Sequence, residues 1–487
     1  MTTTQTTAPS NAVTAAEVEA VDRALIDAST RAPVMFFFTT ALTWLFAATF
    51  FGVVSSIKMH SPEFLANYSW LTYGRVWPAF TNTLVYGWAC PVAIATSIWL
   101  MARLCRVALR STIVPVIGGI FWNIAVTVGV LSILAGNMRP FELLEFKGSA
   151  AILLFIAYSL VSVWGLVMFQ KRRSGHIYIT TWYLLAAFFW FPWLYGAANI
   201  LVSHTHGVVQ AAIAAWYAQS LLGLFFTAVG LGAVYYLIPK VMGRPVHSYY
   251  LASLGFWAQA LLAGWTGMTR LTGGPVPAWM PTISIAATIM MLVPLVTVTV
   301  NHVLTMYGRY DMIYNSPTIR FTVFGAFAWS LSILVAILAA LRTSDRFLHF
   351  TQFLPGQFQL VIYCFFSMVM FGAMYYIVPR LVGCEWLSAT FIRVHFWCSA
   401  YGMGLVIVML LLAGFAQGDA WLDPSESAAL VVGYFQPYMI ARSIGWALIV
   451  IGHFIFFLHF LAMLFRLGQP GGAPTVFAAI EEGGKKA

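Results

Sequence analysis

Twelve apolar runs, each about 20 residues or longer, divide the chain. They lie at 34–57, 78–102, 112–134, 149–170, 177–202, 210–238, 248–269, 281–306, 321–341, 355–378, 388–415 and 442–465. A helix rises 1.5 Å per residue, so each run is about long enough to cross the roughly 30 Å hydrocarbon core of a bilayer. The connections are short and leave no room for a soluble domain. The pattern predicts an all-α integral membrane protein with its helices in residues 34–465. A polar segment, 1–33, precedes them. Within it Thr14 and Glu17 have the spacing of a capping box, and Val18, Val21 and Leu25 share one face of a short surface helix ahead of Pro33. The segment lacks the basic, apolar, small-residue order of a signal peptide. The tail, 466–487, reads as flexible from its GQPGGAP and EEGGKKA stretches.

Composition sharpens this picture. Hydrophobic residues make up 61% of the 487 residues, charged residues 8%, and the mean hydropathy is +0.84. That is too little charge to coat a soluble protein of this length, so apolar surface must face lipid. The net charge of +10 follows from topology rather than from a nucleic-acid partner. With an even number of spans, 17 of the 25 lysines and arginines fall on the side of the termini, which predicts cytoplasmic termini. All 15 acids lie in the termini or between the runs. A transporter, channel or proton pump is expected to bury carboxylates along its path, so those classes are disfavoured. The five cysteines form no CxxC or CxxCH motif, which excludes covalent haem attachment through such a motif.

One short repeat is visible: Tyr235-Tyr236-Leu-Ile-Pro239-Lys240 recurs as Tyr375-Tyr376-Ile-Val-Pro379-Arg380. It reads either as a common helix ending or as a duplicated helix unit. His302, His395, His453 and His459 fall within apolar runs, where packing or hydrogen bonding accounts for them better than ligation. His204 and His206 have ligand-like spacing but no acid or cysteine nearby, and read as a solvated loop. The aromatic run Phe188 to Trp193 reads as space filling.

Four segments carry a resemblance: HIYITTWYLLAAF from His176, WYAQSLLGLFFTAVGLGAVYYLIPKVMGRPVHSY from Trp216, HFTQFLPGQFQ from His349 and GAMYYIVPRL from Gly372. They resemble subunit I of the C-family, cbb-type, haem–copper cytochrome c oxidases, and the resemblance covers all twelve helices in order. It implies a twelve-helix haem–copper oxidase subunit I-like bundle in a bacterial inner membrane, partnered by membrane-anchored c-type cytochromes. In that family the subunit holds a low-spin haem b, a high-spin haem b and a copper ion, reduces oxygen and pumps protons.

The chain departs from the family at the ligands. Phe80 takes the place of the low-spin haem histidine, and Gln219 that of the first copper histidine. The adjacent copper histidines would fall between Thr266 and Arg270, where the sequence is Thr-Gly-Met-Thr-Arg. No tyrosine lies in 251–275 to replace the family's cross-linked one. On the tenth helix the family's GHVH reads Gly356-Gln357-Phe358-Gln359, and the family's ninth-helix glutamate aligns near Val335. Residues two apart on a helix diverge by roughly 200°, so Gln357 and Gln359 would serve two separate environments, with Gln219 as a hydrogen-bond partner on one side. Haem iron and copper favour imidazole nitrogen, which an amide replaces poorly. An unfilled void of ~150 Å³ would cost about 3.6 kcal/mol, so lost cofactors call for bulky replacements, for which Phe80 and Trp265 are candidates. These departures predict no catalytic residue, no haem and no metal, and a scaffold that docks a c-type cytochrome or another redox subunit. The alternative is an active oxygen or nitric oxide reductase with haem b and copper on unrecognised ligands.

Overall fold

The computed structural model describes residues 15–109, 111–173 and 175–468, with side chains from residue 19 onward. The Thr14–Glu17 capping box, Val18 and most of the tail lie outside what is described. Helices fill the chain in the order α1 (Ala15–Lys58), α2 (Tyr73–Cys105), α3 (Ile113–Leu134), α4 (Ser149–Gln170), α5 (Ile179–His204), α6 (Val208–Met242), α7 (Tyr249–Leu262), α8 (Trp279–Met306), α9 (Pro317–Ala340), α10 (Phe353–Val382), α11 (Ala389–Trp421) and α12 (Ala428–Leu464). Among the described residues eleven are long and apolar enough to cross a membrane. The exception is α7, whose 14 residues pass into a tighter 3-10 segment, Ala263–Leu271. Gly267, within this segment, permits its close approach to α6: a Cβ there would stand 2.7 Å from the Ala215 carbonyl and 3.1 Å from the Gln219 Cβ.

Two boundaries depart from the sequence expectation. The short helix ahead of Pro33 is not separate but runs on into the first span, with Pro33 inside α1. Proline removes one hydrogen bond from a helix, and tertiary contacts hold the chain helical here. Ile26 and Thr30 are buried, and Asp27 accepts from Trp99 Nε1 (3.0 Å) and pairs with Arg103 (3.5 Å), fastening α1 to the end of α2. Likewise α12 starts at Ala428 rather than near 442, capped by the Ser427 hydroxyl. Arg442, expected on the outer side, is therefore inside the bundle, donating to Ser56 Oγ at 3.1 Å.

Three helices form the centre. The apolar windows of α2, α6 and α10 are 100%, 89% and 94% buried, against 28–56% for the other spans. Each contains a π-helical stretch, at Thr83–Ala89, Leu221–Phe226 and Leu360–Ser367. A π turn displaces backbone hydrogen bonds, which buried side chains then satisfy. Thr227 donates to the Leu222 carbonyl (2.9 Å), Ser367 to the Ile362 carbonyl (2.8 Å), and Trp122 Nε1 to the Tyr86 carbonyl (2.7 Å).

The pairing of Thr227 with Ser367 belongs to a repeat much longer than the Tyr-Tyr motif. Phe225, Phe226, Gly232, Gly243, Ser248, Phe256 and Trp257 recur in register as Phe365, Phe366, Gly372, Gly383, Ser388, Phe396 and Trp397. Gly243 and Gly383 close their helices in the left-handed conformation (φ 65° and 80°), and Ser248 and Ser388 cap the next ones. A duplicated helix unit accounts for this, and a shared ending does not. The end of α2 repeats it loosely: Trp99 meets Tyr236 and Tyr376 edge-on (5.8 and 5.9 Å), and Arg106 takes the left-handed position (φ 54°).

Removing the π-turn hydroxyls tests this arrangement. Ser367 also accepts from Trp88 Nε1 at 2.8 Å, so Ser367→Ala orphans two buried groups and Thr227→Val only one. The expected cost is about 2 kcal/mol or more for the first and about 1 kcal/mol for the second. Thermal unfolding in detergent, followed by tryptophan fluorescence, reads the order of the two midpoints.

Candidate functional site

The positions that the resemblance assigns to the family's ligands fall on two faces of α10, and the two faces differ. On the first, Phe80 of α2 is fully buried and packs against Trp77 (5.6 Å) and edge-on against Trp446 of α12 (5.3 Å). Tyr363, one turn along α10 from Gln359, meets the other side of Trp446 (5.9 Å). Trp446 fits only because α1 carries Gly52 opposite it, where any Cβ would collide with the indole ring. Gln359 is buried here, and its Nε2 has no hydrogen-bond partner among the described residues, contrary to the expectation that each glutamine reaches a neighbouring helix.

The second face is a cavity of about 120 Å³ with a largely apolar lining, into which Gln219, Gln259, Thr266, Thr269, Arg270 and Gln357 bring polar groups. The structure thus gathers Gln219, Gln357 and the Thr266 to Arg270 segment around one space. Gln357 donates not to Gln219 but to the Val335 carbonyl on α9 (3.3 Å). Gln259 donates to the Gly223 carbonyl in the α6 π turn (2.7 Å), leaving its own oxygen unpaired. Thr266 and Thr269 donate to the carbonyls of Ala263 and Thr266, so their oxygens remain as acceptors. At the outer rim Arg270 forms an ion pair with Glu142 (2.5 Å), and His349 meets Asp345 (3.1 Å). Amides and hydroxyls around a space of this size suit water or a small polar molecule; engineered cavities of roughly 150 Å³ hold ligands as small as benzene.

Trp265 does not fill either space. It is 55% exposed and borders an outward-facing aromatic groove with Trp193 and Trp216. The aromatic run on α5 divides: Phe188 and Phe191 are buried, the latter stacked on Tyr158 at 4.2 Å, whereas Phe189 and Trp193 face outward. The helical histidines are held by hydrogen bonds or rings. His395 meets the Tyr375 hydroxyl (2.8 Å), His453 the Thr49 hydroxyl (2.8 Å), His459 accepts from the Ser388 N–H (3.2 Å), and His302 packs on Tyr235 (4.4 Å). His204 and His206 are exposed. Among the described residues no three His, Cys, Asp or Glu side chains gather as a metal site.

Among the described residues one acid is buried, Glu145, which hydropathy alone does not single out. The loop between α3 and α4 folds into the bundle, burying Leu143, Leu144, Glu145 and Phe146. Its Leu143 carbonyl accepts from Tyr86, which also meets the Tyr217 hydroxyl at 2.7 Å. Glu145 lies in a loop, as all acids were expected to, yet is 6% exposed, and burial pushes its carboxyl up to about 8. The only hint was the mixture of Leu143, Leu144 and Phe146 with acids in a short connection.

With this geometry in hand the known relatives become informative. The family profile for cytochrome c and quinol oxidase polypeptide I matches residues 32–448. The chain belongs to that family. It is 25% identical over 434 residues to the Cbb3-type cytochrome c oxidase subunit CcoN1 of Stutzerimonas stutzeri, covering 87% of this chain and 91% of the relative. It is 26% identical over 465 residues to a cytochrome c oxidase subunit 1 homolog of Azorhizobium caulinodans, covering 91% and 84%. A bacteroid homolog from Bradyrhizobium diazoefficiens is also 26% identical, over 454 residues. The protein is therefore a divergent, multi-span, subunit I-like member of that family.

Glu145 yields a pH dependence with a definite sign. A carboxyl raised from 4.5 to about 8 in the folded protein holds more protons folded than unfolded between those values, so stability falls as pH rises through that window. Glu145→Gln keeps the neutral shape and removes the penalty. The variant is expected to match the parent near pH 4.5 and to be more stable at pH 8 to 9, by on the order of a few kcal/mol, unfolding there at a higher temperature. Unfolding midpoints across pH in detergent measure this.

Proposed function

We propose that the chain is a cofactor-free subunit I-like scaffold within a membrane redox complex, with both termini in the cytoplasm and a c-type cytochrome or another redox subunit docked on the outer side. One observation carries the reading: the Phe80–Trp446–Tyr363 ring cluster, admitted by Gly52, occupies the face of α10 where the family holds its low-spin haem. The side chains at the family positions do not fit the cofactors. Phe80 has no donor atom, and Gln219, Gln357 and Gln359 offer amides where iron and copper favour imidazole. Each helical histidine is held through one ring nitrogen or ring face by a hydroxyl, a backbone N–H or an aromatic ring, and among the described residues no three potential ligands gather as a metal site. The names of the relatives as cytochrome c oxidase subunits support a place in a bacterial respiratory membrane complex. In such a complex a member without redox groups contributes by packing and docking.

Pyridine haemochrome analysis and elemental analysis of the purified chain test this. The expected result is no stoichiometric haem b and no copper, with a c-type cytochrome subunit copurifying in mild detergent. Two haems and one copper per chain would replace the scaffold with an active oxidase or nitric oxide reductase on other ligands. Recovery of the chain without any partner after crosslinking would count against the docking role.

A further inference from the structure

A cavity of about 820 Å³ opens at the membrane end formed by the end of α2, the end of α6 and the starts of α1 and α5. This is at the large end of small-molecule sites, roughly 300–1,000 Å³. Six cations line it: Arg23, Arg103, Arg106, Arg173, Lys240 and Arg244, against two acids, Glu19 and Asp22. Three of the cations are already neutralised. Arg173 pairs with Asp22 (2.6 Å), Arg103 with Asp27 (3.5 Å) and Arg23 with Glu19 (4.0 Å). Arg106, Lys240 and Arg244 have no carboxylate within 4.0 Å among the described residues, although Arg244 donates to the Tyr307 carbonyl at 2.7 Å. The chain conformation brings these three together, since α2 and α6 end alike, in the left-handed turns at Arg106 and Gly243.

The same cavity takes in the N-terminus of α5. Tyr178, Ile179 and Thr180 line it, and α5 has no side-chain cap for its first N–H groups. The Thr180 hydroxyl is turned away, donating to the Gly232 carbonyl at 3.0 Å. Of the first N–H groups of this 26-residue helix, that of Thr181 bonds back to the Tyr178 carbonyl at 2.9 Å, and those of Ile179 and Thr180 belong to the wall that the cations also line, a combination that phosphate oxygens would match. The rest of the wall is apolar or aromatic: Ile26, Leu104, Ile179, Val246 and Tyr249.

We propose that this cavity binds the phosphate headgroup of an anionic phospholipid from the adjoining leaflet, its glycerol and upper acyl chain lying along the apolar wall. Basic pockets between membrane helices on the cytoplasmic side hold such headgroups. A free phosphate or nucleotide has the same anionic chemistry but no use for the apolar wall. The proposal does not depend on the absence of haem, and its test reads lipid alone, so it can fail without the scaffold reading failing.

Native mass spectrometry of the full chain, purified in mild detergent with added phosphatidylglycerol and phosphatidylcholine, is the direct test. The wild type is expected to retain phosphatidylglycerol at activation energies that strip phosphatidylcholine. The triple variant R106Q/K240Q/R244Q is expected to lose that retention at least about tenfold, whereas R342Q/R346Q at the opposite end keeps it. R106Q alone, with an unchanged unfolding midpoint, is expected to lose part of it, which separates a lost site from a misfolded variant. A second arm titrates delipidated protein with inorganic phosphate and with ADP, each expected not to displace the lipid. Equal retention by wild type and triple variant would overturn the proposal. So would saturable, variant-sensitive binding of free phosphate or ADP without lipid selectivity.

Discussion

The contact of Trp446 with Phe80, in the space that Gly52 leaves open, decides how α1, α2, α10 and α12 stand relative to one another. Aromatic pairs of this kind contribute about 0.5–1.5 kcal/mol each beyond the area they bury. Their larger effect is geometric, because rings are rigid and protein interiors tolerate few voids. Phe80, Trp446 and Tyr363 form a continuous wall from α2 to α10, and the helices carrying them cannot part far enough to admit a planar ligand unless that wall is dismantled. The opposite face of α10 is built differently. There a space of about 120 Å³ is left, its largely apolar wall interrupted by the amides of Gln219, Gln259 and Gln357 and the hydroxyls of Thr266 and Thr269. One side of the bundle is packed and the other is partly open.

That asymmetry rests on the π turns of α2, α6 and α10. A π turn shifts the register of everything beyond it and frees carbonyls that need donors. Here the donors are Thr227, Ser367, Gln259 and Trp122, each reaching a carbonyl within or beside a π stretch. The most buried helices are thus held by side-chain hydrogen bonds as well as by packing. The repeat of Thr227 as Ser367, and of the left-handed Gly243 as Gly383, ties two of these helices to one structural unit used twice.

Much of the fold was legible in the sequence because membrane helices announce themselves by uninterrupted apolar length. The bundle, its helix order and the gathering of Gln219, Gln357 and Thr266 to Arg270 around one space all follow from that pattern and from the family resemblance. Burial within connections was not legible. Hydropathy placed Glu145 in a loop and Arg442 at a helix end, but the loop folds inward and α12 begins a full 14 residues earlier than its apolar run. Trp265 lies in the segment where α7 tightens from Ala263 onward, and its side chain is exposed rather than space-filling; apolar periodicity does not register such a change of helix type. Nor could the sequence say that Gln357 would find the Val335 carbonyl while the Gln359 amide would find nothing. Those outcomes depend on sub-ångström placement between helices.

A density map of the purified complex, at a resolution that separates side chains, shows whether the ring wall stands. Individual ring density is expected for Phe80, Trp446 and Tyr363 between α2, α10 and α12, with the Trp446 indole against Gly52. Planar macrocycle density in that space, with the three rings swung aside, would contradict it.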